Sequence, residues 1–483
     1  MVIDALKYQI LQQFGFVPTE EQGLALDAFA RFLTDRDPHA VMILRGSAGT
    51  GKTSLSGAIV RTLKAIRQKV MLLAPTGRAA KVFSLNSGCP AYTIHRRIYR
   101  EKSFAGVDGQ FNLNDNLFTD TLFMVDEASM ISNLGLGGGN FGSGCLLDDL
   151  VRFVYQGHND RLMLIGDKAQ LPPVGEEESP ALNKMMLEGY GLKVYECDLN
   201  EVLRQSQESG VLYNATVIRQ MITHDDITQL PLIRFKGFAD IVMMPGNELV
   251  ESLANSYYRV GQDETMVITR SNKRANIYNN GIRNMVLDRE DELSCGDMLM
   301  IVKNNYFWTE KERNEAKEAL NAIPPFLANG DRAKVLRVSR HMELYGFRFA
   351  TLLLQFPDYD NYEMSVTALL DTLQSEAPAL THEQQEQLFH GVEEDYQDVP
   401  LKVDRMKAIR GDQYFNALQV KYAYAITCHK AQGGQWEHVY VDQGYMTDDM
   451  LTPDYIHWLY TAFTRAKDKL FLVNWPKTQT EQA

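Results

Sequence analysis

Residues 40–53 read Ala40-Val41-Met42-Ile43-Leu44-Arg45-Gly46-Ser47-Ala48-Gly49-Thr50-Gly51-Lys52-Thr53. The apolar run 40–44 has the length of a strand, and the residues after Thr53 favour a helix. Residues 46–53 fit the pattern G-x-x-x-x-G-K-[ST] in full. In this pattern the glycines let backbone N–H groups wrap phosphates, and the helix N-terminus adds a favourable dipole. We therefore expect every residue from Gly46 to Thr53 to contact ATP, with Lys52 at the β and γ phosphates and the Thr53 hydroxyl on Mg²⁺.

Apolar runs of strand length recur along the chain. They lie at 70–73, 122–125, 162–165, 266–268, 439–441 and 470–473, with amphipathic helical stretches between them, for example 55–68 and 79–85. Gly, Pro or Asp closely follows several of these runs. The same residues often follow buried parallel strands whose next loop carries functional groups. The alternation predicts an α/β fold with parallel sheets, one set before about residue 200 and one after.

Two segments interrupt this alternation. Residues 100–120 contain Asp108-Gly109, a strong hairpin turn signal between β-prone flanks, and predict a small exposed hairpin. Residues from about 293 to 403 contain short strands at 334–338 and 347–355 and predict an inserted β domain. The Gly-rich stretch 135–144 is expected to be a flexible loop. The stretch 376–398 holds seven carboxylates and no Lys or Arg, and is expected to be a solvated face.

The charge of the chain opposes a nucleic-acid partner. Lys plus Arg number 49 and Asp plus Glu number 62, a net charge of −13. This net negative charge does not exclude a nucleic-acid partner. A protein that slides along nucleic acid would be held too tightly by a large surface that neutralises phosphates. The five cysteines are widely spaced and odd in number, which favours free thiols in a reducing compartment. With neither a signal peptide nor a membrane-spanning run in the sequence, we expect a cytoplasmic protein.

Polar residues at the ends of predicted strands supply the rest of a hydrolytic site. Asp126 and Glu127 follow the run 122–125, so Asp126 can reach the metal and Glu127 can activate the attacking water. Gln170, after the run 162–165, can bond both the γ-phosphate and the opposite domain, as a sensor of the nucleotide state. Arg204 and Arg465 are candidates to stabilise charge on the transferred phosphoryl group.

Taken in order, these strings resemble the motifs of superfamily 1 helicases, in the 5′-to-3′ branch with RecD-like and Dda-like members. The motifs extend over about residues 18 to 474. They are Pro18-Thr19-Glu20-Glu21-Gln22, the loop 46–53, Ala74-Pro75-Thr76-Gly77-Arg78, Thr93-Ile94-His95, Asp126-Glu127-Ala128-Ser129, Gly166-Asp167-Lys168-Ala169-Gln170, Leu203-Arg204-Gln205, Thr427-Cys428-His429-Lys430-Ala431-Gln432-Gly433 and Tyr460-Thr461-Ala462-Phe463-Thr464-Arg465.

The resemblance implies two RecA-like domains with one ATP between them. The first would comprise residues 1–99 and 121–200, and the second residues 201–292 and 415–483. A hairpin at 100–120 would be the strand-separating pin, and residues 293–414 would form an SH3-like β insertion. Within this frame Gln22 is expected to read the adenine and Gly433 to contact the nucleotide, and Tyr278 or Tyr460 is a candidate to stack on the base.

The resemblance also implies a nucleic-acid track across both domains. The residues expected to face it are Pro75, Thr76, Arg78, Thr93, His95, Thr427 and His429, with Phe104 or Phe111 at the hairpin. Such groups position a backbone without reading its sequence. The implied partners are single-stranded DNA and forked duplex DNA, together with single-strand-binding, replication or repair proteins.

The implied function is an ATP-dependent DNA helicase that moves 5′-to-3′ on single-stranded DNA and unwinds duplex. Two alternatives stay open. One is a helicase of the related Pif family. The other is an ATP-gated nucleic-acid-binding switch or loader without processive unwinding, which the net acidity favours. A third interpretation, a nuclease subunit, is disfavoured, because the sequence shows no convincing metal-binding carboxylate cluster beyond the ATP site. Any nuclease activity would then belong to a partner.

Overall fold

The computed structural model describes residues 2–104, 109–135, 142–201, 208–224, 227–316, 323–324 and 326–481. Arg204, Asp108 and most of the Gly-rich stretch therefore lie outside the described residues. Within them the α-helices are α1 Val2–Phe14, α2 Glu20–Thr34, α3 Lys52–Ala65, α4 Gly77–Ser87, α5 Ile94–Ile98, α6 Leu146–Gln156, α7 Lys184–Gly189, α8 Gly210–Thr223, α9 Leu249–Arg259, α10 Asn272–Gly281, α11 Phe307–Glu315, α12 His382–Asp395, α13 Lys402–Arg410, α14 Cys428–Ala431 and α15 Pro453–Phe463.

The strands of the described chain form two parallel sheets, a closed barrel and a hairpin. They are β1 Ala40–Gly46, β2 Lys69–Ala74, β3 Ala91–Thr93, β4 Tyr99–Phe104, β5 Gly109–Leu113, β6 Thr121–Val125, β7 Arg161–Gly166, β8 Lys193–Leu199, β9 Ile241–Met244, β10 Thr265–Thr269, β11 Met298–Ile301, β12 Arg332–Leu344, β13 Phe347–Phe356, β14 Tyr362–Leu369, β15 Leu418–Tyr422, β16 Ala425–Thr427, β17 Trp436–Asp442 and β18 Ala466–Val473.

The first domain is built on a six-stranded sheet of order β3-β2-β6-β7-β1-β8, in which all pairs are parallel. Every residue of β1, β6 and β7 is buried, because helices cover both faces. One face packs with Ile10, Phe29 and Leu55, and the other with Leu150 and Phe153. Since the strands are parallel, the residues that follow β1, β6 and β7 meet at one edge of the sheet.

The second domain is built on a five-stranded parallel sheet of order β16-β10-β17-β18-β9. Helix α15 leads into β18 and is buried along most of its length. Its apolar side chains join a large cluster that also takes in the sheet and the barrel. The predicted pair of parallel-sheet sets is thus confirmed, and so is the α/β fold class.

The insertion is a closed five-stranded barrel of strands β11 to β15. Its pairs are antiparallel except β14 with β15. The first and last strands are paired neighbours, with Leu299 opposite Tyr422. The predicted SH3-like insertion is confirmed, but its predicted end at residue 414 is wrong. Strand β15 closes the barrel and lies beyond that limit, in residues that the sequence assigned to the second domain.

The acidic stretch forms helix α12, which begins with a capping box between Thr381 and Gln384. Leu388, Phe389 and Val392 are buried against the barrel, while most of the carboxylates face outward. The helix is therefore an amphipathic cover for the barrel with a solvated acidic face, as expected.

The predicted hairpin is formed by β4 and β5. The Phe111 ring lies 5.6 Å from the Tyr306 ring, next to the barrel, and Tyr306 stacks on Phe326 at 4.8 Å. The Gly142 N–H donates to the Phe111 carbonyl at 2.7 Å, and the Ser143 N–H donates to Asp149 at 2.9 Å. The described end of the Gly-rich stretch is thus hydrogen-bonded to the hairpin and to α6, while most of the stretch lies outside the described residues.

None of the helices in the described part of the chain is long and apolar enough to cross a membrane.

Candidate nucleotide site between the two sheets

A cleft of about 420 Å³ lies between the two domains. We call its first-domain side the first rim, formed by Lys52, Asp126, Glu127 and Gln170, and its second-domain side the second rim, formed by Gly433, Gln435, Thr464 and Arg465. Most of the residues predicted to surround the nucleotide therefore line one cavity. Such a cleft between domains is a usual place for a ligand site.

The phosphate loop, residues 46–53, joins β1 to α3. Gly49 and Gly51 have φ of 78° and 77°, a backbone conformation that favours glycine. Gly51 caps the 14-residue helix α3 without a side-chain hydrogen bond, so the first N–H groups and the helix dipole are available to an anion. The Lys52 ammonium donates to the Gly46 carbonyl at 3.2 Å and points its charge into the cleft.

Two carboxylates follow β6. The Glu127 N–H donates to the Asp126 carboxylate at 2.9 Å. Burial first, and the neighbouring Glu127 second, raise the pKa of Asp126 to about 6. The Glu127 Oε2 is buried without a hydrogen-bond partner among the described residues, and the backbone of Glu127 has a positive φ of 51°. An unpaired buried acceptor at a strained position is expected where a ligand or water completes the site.

The donors present fit Mg²⁺ bound together with a nucleotide. Mg²⁺ is usually held by one or two protein oxygens, substrate phosphates and water rather than by a protein cage. The Thr53 hydroxyl and Asp126 line the cleft and supply such oxygens. No group of three or more His, Cys, Asp or Glu side chains in the described residues could hold a metal by itself.

The Gln170 segment, residues 167–171, follows β7 and is held by the second domain. The Thr461 hydroxyl accepts from the Leu171 N–H at 2.8 Å, and the Gln432 amide donates to the Leu171 carbonyl at 2.7 Å. The His457 ring lies 2.9 Å from the Ala169 carbonyl. The segment is thus bound across the cleft through its backbone, while the Gln170 Oε1 stays buried and unpaired in the described structure.

Tyr460 also reaches the first domain from helix α15. Its hydroxyl accepts from the Ala48 N–H of the phosphate loop at 3.0 Å and donates to Asp167 at 2.6 Å. Its ring is buried and its hydroxyl is engaged at the phosphate loop, so Tyr460 is not placed to stack on a base in this structure. Tyr278 donates to Asp442 on the second sheet at 2.6 Å and is not among the cleft-lining residues described.

Arg465 is 3% exposed and lies at the end of α15. Its guanidinium donates to the Thr461 carbonyl, the Gly434 carbonyl and the Thr464 hydroxyl at 3.0, 3.2 and 3.1 Å. Among the described residues no carboxylate lies within ion-pair distance of it. A buried cation held only by neutral acceptors is suited to an incoming anion, because an uncompensated buried charge is costly.

An arginine that the sequence did not indicate, Arg219, lies at the phosphate loop. Arg204, the predicted partner of Arg465, lies outside the described residues, so its placement stays a prediction. Arg219 on α8 donates instead to the Ser47 hydroxyl and, at 3.3 Å, to the Asn200 carbonyl. It belongs to no motif, and only its tertiary position brings it to the loop.

Gln22 does not present its amide to the cleft, contrary to the expectation that it reads the adenine. Its Nε2 donates to the Thr50 carbonyl at 2.9 Å, and its Oε1 accepts from the Thr19 N–H at 3.0 Å within a capping box. At 1% exposure its polar atoms are satisfied within the protein. In this structure Gln22 contacts the phosphate loop through the Thr50 carbonyl, on the side away from the cleft.

The predicted track residues of the first domain are largely engaged within the protein. Thr76 and Thr93 cap helices α4 and α5 with their side chains. Arg78 donates to the Gln435 carbonyl at 2.9 Å and covers the Trp436 ring at 4.3 Å, so its contact with the track stays a prediction. Arg78 thus joins α4 to the second domain. Burial lowers the pKa of His95 to about 4, so its imidazole is neutral at physiological pH.

The remaining track predictions divide by accessibility. His429 is exposed, and the Thr427 side chain makes no capping hydrogen bond at the start of α14. Pro75 is half-buried at the end of β2. The Phe104 backbone belongs to β4, but its side chain lies outside the described residues. Contact of any of these with nucleic acid stays a prediction.

Two family models match the chain. Residues 20–225 match an AAA domain, and residues 422–473 match a UvrD-like helicase C-terminal domain. The first match covers the phosphate loop and the first rim, and the second covers most of α14 to β18 with the second rim. The two matches follow the chain in the order of the two sheets.

Similar proteins from three sources overlap the chain to different extents. The ATP-dependent RecD2 DNA helicase of Deinococcus radiodurans is 31% identical over 157 residues, which is 32% of this chain and 18% of that protein. An uncharacterized protein of Methanocaldococcus jannaschii is 33% identical over 33% of this chain and 14% of its own length. The chain therefore spans a small part of both relatives. An uncharacterized protein of Acanthamoeba polyphaga mimivirus is 21% identical over 93% of this chain and 98% of its own.

Among solved structures, a Pif1 helicase from Bacteroides in complex with ADP-AlF3 and ssDNA has 13% sequence identity and a TM-score of 0.47, covering 97% of this chain and 95% of that one. A Pif1 helicase from Candida albicans has 17% identity and a TM-score of 0.41, covering 97% of each chain.

Proposed function

We propose that this chain is a superfamily 1 helicase, an ATP-dependent DNA helicase that moves 5′-to-3′ along single-stranded DNA. The match to a UvrD-like helicase C-terminal domain, after the match to an AAA domain, supports the superfamily. The observation that carries the proposal is the cleft, because it sets Lys52 on one wall and Arg465 on the other. A triphosphate in the phosphate loop would thus meet cations from both domains. The likeness to a relative named as an ATP-dependent DNA helicase supports ATP as the fuel and DNA as the track.

Each rim has a chemical task in this proposal. Lys52 and the N–H groups of the phosphate loop bind the phosphates. Glu127, whose Oε2 is unpaired among the described residues, orients the attacking water and accepts its proton. Gln170 contacts the γ-phosphate and senses the state of the nucleotide. Arg465, with Arg204 as a predicted partner, neutralises the charge that develops on the γ-phosphoryl group. Thr53 and Asp126 would hold Mg²⁺, which supplies further charge neutralisation at the phosphates.

Movement follows from the contacts that cross the cleft. Domain closure brings the second rim onto the phosphates, and hydrolysis removes the anion that draws the two rims together. Thr93 and His95 in the first domain and Thr427 and His429 in the second would hold the DNA backbone in turn. The hairpin would separate the duplex ahead, through Phe104 or Phe111. For the two RecA-like domains, the hairpin and the barrel we keep the limits predicted from the sequence, except that the barrel is extended to include β15.

The proposal is tested with forked duplexes that carry a single 5′ or a single 3′ tail. We expect ATP hydrolysis stimulated by single-stranded DNA and strand separation from the 5′ tail. Unwinding only from the 3′ tail would overturn the direction. ATP hydrolysis and DNA binding without any strand separation would favour the switch or loader alternative, and comparison with G-quadruplex and RNA–DNA substrates would separate the Pif-family alternative.

The proposal also includes a cellular compartment and partner proteins. All five cysteines are free thiols, which supports the expected cytoplasmic location because such thiols persist in a reducing compartment. Single-strand-binding, replication or repair proteins are the expected partners, since they meet the same DNA.

A further inference from the structure

The Tyr460 hydroxyl lies between three parts of the candidate site. It accepts from the Ala48 N–H in the phosphate loop and donates to Asp167 at the start of the Gln170 segment. Its own helix, α15, ends two residues before Arg465. One hydroxyl of the second domain therefore joins the loop, the Gln170 segment and the helix that carries the arginine.

Both hydrogen bonds are well protected. Tyr460 is 1% exposed and Asp167 is 4% exposed. Burial, and then the neighbouring carboxylate, raise the pKa of Tyr460 well above its usual value, so the hydroxyl keeps its proton and can donate and accept at once. The other oxygen of Asp167 accepts from the Ala169 N–H at 2.9 Å, which fixes the carboxylate within the Gln170 segment.

The same helix face holds the segment at two further points, through Thr461 at Leu171 and through His457 at Ala169. These neighbours bind only the segment, whereas Tyr460 binds the phosphate loop as well. Among the described residues of this helix face, Tyr460 therefore links the phosphate loop to the Gln170 segment through hydrogen bonds to both.

We propose that Tyr460 is a positioning residue for ATP hydrolysis, whose hydroxyl aligns the Gln170 segment with the phosphate loop when α15 closes the cleft. The inference rests on the proposed function, since it concerns the same hydrolysis. Tyr460 touches no reacting atom. It acts through Ala48 and Asp167, so it sets the rate of the chemical step more than the affinity for ATP.

The test is steady-state ATP hydrolysis with saturating single-stranded DNA for the wild type, Tyr460→Phe, Gln170→Ala and the double variant. Hydrogen bonds to charged groups are worth roughly a factor of ten or more in an equilibrium. We expect Tyr460→Phe to lower kcat about tenfold and to change KM for ATP by less than about threefold. In the Gln170→Ala background it should lower kcat by less than about threefold, because the two residues act as a unit.

The matched control is Tyr455→Phe. Tyr455 lies on the same helix, is equally buried and donates to Gln443 away from the cleft. It should leave kcat within about twofold. Equal effects of Tyr455→Phe and Tyr460→Phe, or a full tenfold loss in the Gln170→Ala background, would overturn the inference. Absence of ATP hydrolysis in the wild type would instead overturn the proposed function.

A second variant covers the case in which Tyr460→Phe does not fold, as judged by circular dichroism and thermal melting. Asp167→Asn keeps an acceptor for the tyrosine but removes the charge that strengthens the bond. We expect kcat to fall about threefold at an unchanged KM, and no further loss in the Gln170→Ala background. An unchanged kcat in folded Asp167→Asn would overturn the inference.

Discussion

The first rim presents Asp126 and Glu127 after a parallel strand and Lys52 at the start of helix α3, whereas the second rim presents Arg465 at the end of one helix. Among the described residues, Lys52 donates to a carbonyl and Glu127 has an unpaired oxygen. Arg465 has three acceptors in its own domain. The first rim is thus left to be completed by a ligand, while the cation of the second rim is already hydrogen-bonded within its own domain. A cation held on a separate domain contributes to the reaction only when the cleft is closed.

The largest effect that follows from this difference is expected for Arg465→Ala. If the second rim acts mainly in the transition state, kcat should fall about 10³-fold with little change in the affinity for ATP. Arg465→Lys keeps the charge but loses the planar fork that matches a phosphate, and should recover only part of the rate. Stopped-flow or steady-state hydrolysis assays measure both. A large loss of ATP binding in Arg465→Ala would remove the distinction between the rims.

The matching change on the first rim is Lys52→Ala. It should lower hydrolysis at least about 100-fold and abolish unwinding. Unlike Arg465→Ala, it should also weaken binding of a fluorescent ATP analogue about tenfold or more, because Lys52 contacts the bound phosphates. Binding to single-stranded DNA should be largely retained. Lys64→Ala, on the exposed last turn of the same helix, is the control and should behave as wild type. Unwinding by pure Lys52→Ala would contradict the assignment.

The hairpin offers a smaller effect, at a distance from both rims. Phe111→Ala removes a ring that lies 5.6 Å from Tyr306, and such aromatic pairs contribute about 0.5–1.5 kcal/mol. We expect unwinding of forked duplex to fall roughly threefold to tenfold, since the hairpin loses part of its support. Hydrolysis stimulated by single-stranded DNA should stay near wild type. Equal loss of both activities would show that the hairpin is not a strand-separating element.

The smallest effect concerns Asp331, where the barrel contacts the first domain. Burial raises the pKa of Asp331 to about 7, although Tyr359 and the Ala328 N–H donate to it. The folded chain therefore binds a proton that the unfolded chain has lost between about pH 4 and 7. Stability should fall as the pH rises through this window and level off above it.

Asp331→Asn lacks this titration, so the thermal midpoint of the wild type should fall by a few degrees relative to the variant between pH 5 and 7.5. Glu363→Gln, at an exposed position of β14, is the control and should follow the wild type. Parallel curves for the wild type and Asp331→Asn would refute the predicted protonation of this carboxyl.

The fold class was predictable because its signals are local. A buried parallel strand is a short apolar run, and the backbone of the phosphate loop adopts positive φ angles that favour glycine at Gly49 and Gly51. The two parallel sheets, the β insertion and the hairpin are confirmed. The two family matches follow the chain in the same order as the helicase motifs that the sequence resembles.

The side-chain contacts that the sequence did not predict join residues that lie far apart along the chain. Gln22 lies 28 residues from Thr50, and Arg78 is bonded to Gln435. A motif names such residues but does not tell which of several neighbours they contact. Arg219 belongs to no motif, and Tyr460 belongs to one that indicated no partner for it, so only the folded chain brings them to the phosphate loop. Strand β15 was misassigned because it continues almost directly into β16.

The pairing of β11 with β15 bears on how this architecture can change over generations. Adjacent strands are about 4.8 Å apart, so the two ends of the barrel leave and rejoin the second sheet side by side. Because the two ends of the insertion are already paired, the entropic cost of closing it is met within the barrel and not by the second sheet. The loops that join the strands inside the barrel can therefore change in length without reopening this closure, whereas the barrel residues that share the core of the second sheet cannot be exchanged so freely.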